Sequence, residues 1–162
     1  MDHIWTPWRM KYIQEQHDYK GCIFCLAAEA EDGLENLIFF RGEHNFMILN
    51  RYPYTSGHLM CVPYAHEERL QDLSRDARAE MMELATRAVD VLQVVYHPEG
   101  FNIGLNLGEM AGAGIAEHLH LHIVPRWGGD TNFMSAVGST RILPESLEET
   151  YQRVKAAWEG FA

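Results

Sequence analysis

The run EHLHLHIVPRW at residues 117–127 sets His118, His120 and His122 at alternate positions. Side chains two residues apart on a β-strand leave the same face. Read as a strand, this run lines three imidazoles along one side and turns Leu119, Leu121 and Ile123 to the other, where they can enter a core. A row of imidazoles is costly in a dry core and costs little on a solvated face. The bland alternative is therefore a polar strand face. It is disfavoured by the strict repetition, by the glycine-rich approach over residues 108–114 and by the closing Pro125-Arg126.

The rest of the pattern builds a sheet around this strand. LIFF (37–40) and NFMIL (45–49) read as strands joined by the turn RGEH. HLMCVPY (58–64) is a third, after NRYPYTSG, where Pro53 and Gly57 break the pattern. Residues 74–95 form the strongest helix. Ser74 can cap it, Asp76 sits in its first turn, and Ala77, Met81, Leu84, Ala88, Val91, Leu92 and Val95 recur at helical spacing. His97-Pro98-Glu99-Gly100 ends it, FNIGLNL (101–107) is a fourth strand, and the histidine run is the fifth. Pro144 opens a last helix with Leu147, Tyr151, Val154 and Trp158 on one face. The expectation is one α+β domain over residues 1–162, with a five-stranded, mostly antiparallel sheet, one long helix and a C-terminal helix. Residues 1–20 carry Trp5, Trp8, Met10, Tyr12 and Ile13, and are expected to pack on the body or on a second subunit.

The formal net charge of −10 argues against a broad basic face for a nucleic acid polymer. Any anion site must be local, made of backbone N–H groups, imidazoles and a few cations. No apolar run is long enough for a membrane span, and MDHIWTPWRMKYIQEQ is too polar for a signal peptide, so the cytoplasm is the expected compartment. The chain has three cysteines, an odd count that speaks against a disulfide framework. Cys61 in LMCVP reads as a buried strand residue. Cys22 and Cys25 form a C-x-x-C, either half of a metal site or a redox pair. The redox reading wants a strand leading into a helix, and none is evident there.

Imidazole can act as nucleophile, acid, base or metal ligand. Phosphorus suits it as an electrophile, because a neutral ring nitrogen attacks a phosphoryl group without first being deprotonated. The resulting phosphoramidate is energy-rich, so a second nucleophile can displace it. The loop from Gly108 to Gly114 offers three glycines where backbone N–H groups could approach a phosphate, although most glycine-rich loops merely turn.

These residues carry a resemblance. His118-Leu-His120-Leu-His122-Ile-Val matches the H-φ-H-φ-H-φ-φ signature of the histidine triad (HIT) superfamily of nucleotide hydrolases and transferases. FMILNRYPYTSGHLMCVP resembles its nucleotide-binding hairpin. The opening WTPWRMKYI, the CIFC that follows and GFNIGLNLGEMAGAGIAEHLHLHIVPRWGGDTNF are similar to the bacterial diadenosine tetraphosphate (Ap4A) phosphorylase branch, so the resemblance covers about residues 5–160. It implies a HIT-like fold, a homodimer and cleavage of dinucleoside polyphosphates at the α-phosphate through a nucleotidyl-histidine. The free edge of an odd-stranded sheet and the aromatic N-terminus also suggest a homodimer.

Residue by residue, the resemblance makes His120 the nucleophile, His122 its assistant at the phosphate, and His58 in SGHLMCVP the upstream histidine of a quartet. The lesser alternative for His58 is a polar residue at a sheet edge. Asn50, Asn106, Gly112 and Gly114 take nucleotide or phosphate contacts, as does His122. Several relatives place Gln or Ser about four residues before the first triad histidine; here Gly114 stands there, so backbone N–H groups would hold the leaving group. Zinc-bearing relatives complete a C-x-x-C with a histidine after the "VP" strand and the first triad histidine, which implies a structural zinc on Cys22, Cys25, His66 and His118. Without a metal, the two cysteines are packing residues and His66 lies on the surface. Three other functions compete: a nucleoside phosphoramidase with the same residues, a slow-turnover nucleotide-sensing module, and a zinc protein without catalysis.

Overall fold

Every residue of NFMIL and LMCVP is buried, which requires a sheet covered on both faces. In the computed structural model, which describes residues 21–130 and 143–161, that is the arrangement found. The chain runs α1 (Ile23–Glu29), β1 (Ile38–Arg41), β2 (Asn45–Leu49), β3 (Leu59–Pro63), α2 (Arg75–Tyr96), β4 (Gly100–Leu105), β5 (Leu121–Arg126) and α3 (Leu147–Gly160). Short 3-10 turns occupy Leu70–Asp72 and Glu109–Ala111. The sheet has five strands in the order β1-β2-β3-β5-β4, and every pairing is antiparallel.

The register explains how the two faces divide. Ile38, Ile48, Met60, His122 and Gly104 form one row across the strands. The neighbouring row Met47, Cys61 and Leu121 points the other way and joins the core shared with α2 and α3. Cys61 is fully buried in β3, as its apolar surroundings implied.

The two long helices cover that second face because their apolar positions recur at helical spacing. On α2, Ala77, Met81, Leu84, Ala88, Val91 and Leu92 are buried. The Ser74 side chain accepts from the N–H of Ala77, and His97 ends the helix in the left-handed region at φ 47°, just before Pro98. On α3, Tyr151, Val154 and Trp158 are buried, and Ser146 and Glu149 form a reciprocal capping box. The Tyr151 hydroxyl donates to the carbonyl of Ile38 at 3.0 Å and ties α3 to the outer strand.

Two expectations need correction. The sequence pattern gave no helix at CIFCLAAEA, yet α1 forms there with Cys22 at its N-cap. The histidine strand was expected to hold all three triad rings, yet β5 starts at Leu121, so only His122 lies in it. The ladder with β3 stops at the Cys61–Leu121 pair, and the Leu119 N–H turns to the carbonyl of Glu67 at 2.8 Å instead. The expectations for residues 1–20 fall outside the described residues.

Candidate active site and metal cluster

The row Ile48, Met60 and His122 forms the floor of a cavity of about 510 Å³. This is within the usual range for small-molecule sites, roughly 300–1,000 Å³. One wall is α1, through Ile23, Phe24, Leu26 and Ala27. The turn from Asn50 to Tyr54 makes another, and Asn106, Gly112, Gly114 and Ile115 make a third. His120 and His122 both open into it. A larger hollow of about 990 Å³ lies between Trp127, Tyr96 and α3. It contains none of the triad, and its rim carries Glu145, Glu148 and Glu149, so the smaller cavity is the one with chemistry.

The imidazoles are buried rather than solvated: His118 is 1% exposed and His120 6%. Each has a partner that fixes its neutral form. The Tyr54 N–H donates to His58 Nδ1 at 3.1 Å, so the proton of His58 sits on Nε2. That Nε2 donates to His122 Nδ1 at 2.9 Å, which leaves the proton of His122 on its own Nε2. His120 Nδ1 lies 2.8 Å from the carbonyl of His118, which can only accept, so His120 carries its proton on Nδ1 and keeps a lone pair on Nε2. The His58–His122 contact is the diagonal neighbour contact of an antiparallel pair, since His122 faces Met60 directly.

Burial favours the neutral form of His120 and His122. It pushes His120 below the usual imidazole range, against the opposing pull of the His118 carbonyl. Burial and the adjacent His120 together push His122 down to about 4. The loop before β3 depends on a glycine. Gly57 has φ +75°, and a Cβ there would meet the Tyr96 ring at 2.9 Å and Leu92 at 3.0 Å. The turn can therefore lie against α2 and deliver His58 under Tyr54, ring centroids 4.5 Å apart.

The glycine loop is more self-contained than its composition suggested. The N–H groups of Ala111, Gly112 and Ala113 close turns onto Gly108 and Glu109 carbonyls. Gly112 holds a left-handed conformation at φ 92° and lines the cavity, but with its N–H already donated at 2.9 Å. Asn50 also lines the cavity; its Oδ1 accepts from the Tyr52 N–H at 2.9 Å, and its Nδ2 lies 3.3 Å from His58 Nδ1. Asn106 and Gly114 face the same space.

His118 leaves the cavity for a separate cluster. Its Nδ1 lies 3.3 Å from Cys22 Sγ and 3.6 Å from Cys25 Sγ, and His66 Nδ1 lies 3.3 Å from Cys25 Sγ. The four donor atoms all fall within 4.8 Å of one another. A tetrahedral zinc with bonds of about 2.0–2.3 Å has donor separations of about 3.3–3.8 Å, so the set fits that ion. His118 Nε2 donates to the carbonyl of Pro63 at 2.9 Å, leaving Nδ1 to ligate. Burial and the adjacent Cys22 push the Cys25 thiol up to about 11, so a cation is what would let Cys25 ionise. The three rings therefore divide two and one rather than sharing one face.

Two groups at the site escaped the sequence reading. Tyr54 packs on both His58 and His122, with centroids 4.5 and 5.9 Å away. Phe24 contacts His118 and His120 at 5.4 and 5.1 Å. The aromatic turn RYPYTSG was a signal for the first; the second depended on recognising α1.

Comparison with known proteins gives a consistent pattern. Residues 33–129 match the HIT domain. The chain is 40% identical over 166 residues to an AP-4-A phosphorylase of Mycobacterium tuberculosis, covering 98% of this chain and 85% of that protein. It is 30% identical over 89 residues to a bis(5'-adenosyl)-triphosphatase of Dictyostelium discoideum, covering 55% of this chain and 59% of the relative. A zinc-bound histidine triad family protein from Mycobacterium smegmatis superposes with a TM-score of 0.70 at 28% identity, covering 87% of this chain and 95% of that one.

Proposed function

The chain belongs to the HIT domain family, and from its site we propose that it is an enzyme that splits dinucleoside polyphosphates such as Ap4A at the α-phosphate, with His120 as covalent nucleophile. The observation that carries this is the state of His120: buried beside the cavity, Nδ1 held by a carbonyl, Nε2 left with a lone pair. Attack forms the Nε2–P bond and breaks the bond from the α-phosphorus to the bridging oxygen, which leaves with its electron pair on the departing ATP. Inorganic phosphate then attacks the same phosphorus, breaks the N–P bond and yields ADP. The phosphorylase relative supports phosphate rather than water as this second nucleophile.

His122 meets the developing charge through its Nε2–H, oriented by His58 and the Tyr54 N–H behind it. The apolar wall of α1 suits a nucleobase, and Asn50 and Asn106 suit the ribose and phosphates. Gly114 in place of a polar side chain leaves the departing oxygen to backbone N–H groups other than those of Ala111, Gly112 and Ala113, which the loop's own turns use. Cys22, Cys25, His66 and His118 would hold a zinc ion, supplying a rigid anchor for α1 rather than a reacting group. The protein works as a homodimer in the cytoplasm on this reading. The outer edge of β4, which pairs with no other strand among the described residues, with Ile103 exposed, favours the first, and three cysteines without a disulfide favour the second. Among the described residues no helix is long and apolar enough to cross a membrane.

Product analysis with Ap4A, with and without inorganic phosphate, tests the reading. ADP plus ATP, formed only with phosphate, is expected. AMP plus ATP regardless of phosphate would make the enzyme a hydrolase. No cleavage of Ap4A, with turnover of an adenosine phosphoramidate, would replace the reading with a phosphoramidase.

A further inference from the structure

One hydrogen bond does not aim a ring. The bond from His120 Nδ1 to the His118 carbonyl pins one atom and leaves the imidazole free to swing about it. Its plane must be set by what it packs against. Among the described residues two rings touch it: His122, at 4.9 Å and 74°, and Phe24, at 5.1 Å and 44°. His122 is itself fixed by His58. Phe24 is 3% exposed and stands in the first turn of α1, between Cys22 at the N-cap and Cys25. The helix with a thiol at its N-cap and another in its first turn therefore delivers an aromatic ring, tilted by 44°, onto the imidazole that opens into the cavity. The same ring packs edge-on against His118 at 5.4 Å, so it spans from a member of the metal cluster to the imidazole of the cavity.

We propose that Phe24 is a positioning residue of the reaction, holding the His120 imidazole in the plane that directs Nε2 into the cavity. This rests on the reading of His120 as nucleophile. A flat aromatic ring resists rotation of a ring packed on it, whereas an aliphatic side chain of similar bulk fills the space and lets it turn. Reaction by in-line attack is steep in angle and distance, and a small misplacement lowers the rate far more than it lowers affinity. Phe24 thus acts on the rate through His120 even though it also lines the cavity.

The test compares the metal-loaded full chain with Phe24→Leu and Phe24→Tyr. Three quantities are read: the single-turnover rate of adduct formation from Ap4A labelled at the α-phosphate, the Kd for AMP, and the zinc content. Phe24→Leu should slow the adduct by about tenfold to a hundredfold, well beyond any weakening of the Kd through the shared cavity wall, with zinc retained. Phe24→Tyr should recover most of the rate. An unchanged rate in Phe24→Leu, or a rate loss matched by the loss of affinity, would overturn the proposal. Loss of the metal or of the fold in Phe24→Leu would also overturn it, because Phe24 would then be structural. Absence of any adduct in the wild type would instead remove the reading of His120 as nucleophile.

Discussion

His122 shows how much a single ring can depend on its surroundings. Burial and the adjacent His120 hold it near 4, against 6.5 for a free imidazole. An unfolded chain protonates it below pH 6.5, while the folded chain resists until about 4. Between those values the unfolded state binds more protons, so stability falls as pH is lowered across that window. The expected loss is about 1–2 kcal/mol at pH 5 relative to pH 7. His122→Gln should flatten that part of the profile in urea denaturation; an unchanged slope would show that burial does not hold the ring neutral. The division of labour among the triad gives a second prediction. His118→Ala should lose metal and lower the Tm, because it removes a cluster member, whereas His122→Ala should keep both and lose turnover. Metal analysis and melting curves separate the two outcomes. The alternation in the sequence announced three functional rings, but it did not reveal that His118 turns away. That depends on Leu119 bonding to Glu67, a contact 52 positions distant that no local pattern encodes.

At the scale of elements, α1 is where the Cys/His cluster and the cavity meet. Its N-cap and first turn supply the two thiols, and Ile23, Phe24, Leu26 and Ala27 wall the cavity. Removing the metal, or introducing Cys22→Ser, should free this helix and weaken AMP binding about tenfold or more, a coupling of typical size between linked sites. Equal affinity with and without metal, by calorimetry, would mean the helix is held by packing alone. Elsewhere the core is conventional: Trp158 lies 5.4 Å from Phe39 and 2% exposed, so Trp158→Ala should cost about 3–5 kcal/mol in chemical denaturation. The legibility of each element follows its physics. α2 and α3 have long apolar periodicity and serine caps, and their spacing was plain. α1 has seven residues, no side-chain cap, one cysteine inside it and another at its N-cap, too short a run for apolar periodicity to show, so it left no helical signal.

The molecule as a whole uses an antiparallel sheet as a partition. One face is sealed by two amphipathic helices; the other carries the row of residues that includes His122, roofed by a short helix and two loops. The fold class and strand number followed from alternation and turn residues, because these are local. The order β1-β2-β3-β5-β4 did not, since it requires the glycine loop to bring β5 back between β3 and β4. The outer edge of β4 and its exposed Ile103 favour a homodimer, for which light scattering at micromolar concentration should give twice the chain mass of 18.6 kDa. A monomeric mass would count against it. The central claim, that His120 forms a covalent bond to phosphorus, is tested most directly by rapid quench with Ap4A labelled at the α-phosphate. The wild type should yield an acid-labile, base-stable labelled protein within a single turnover, and His120→Ala should yield none while still binding AMP. Turnover by His120→Ala at the wild-type rate, or a labelled adduct that survives the substitution, would contradict the account.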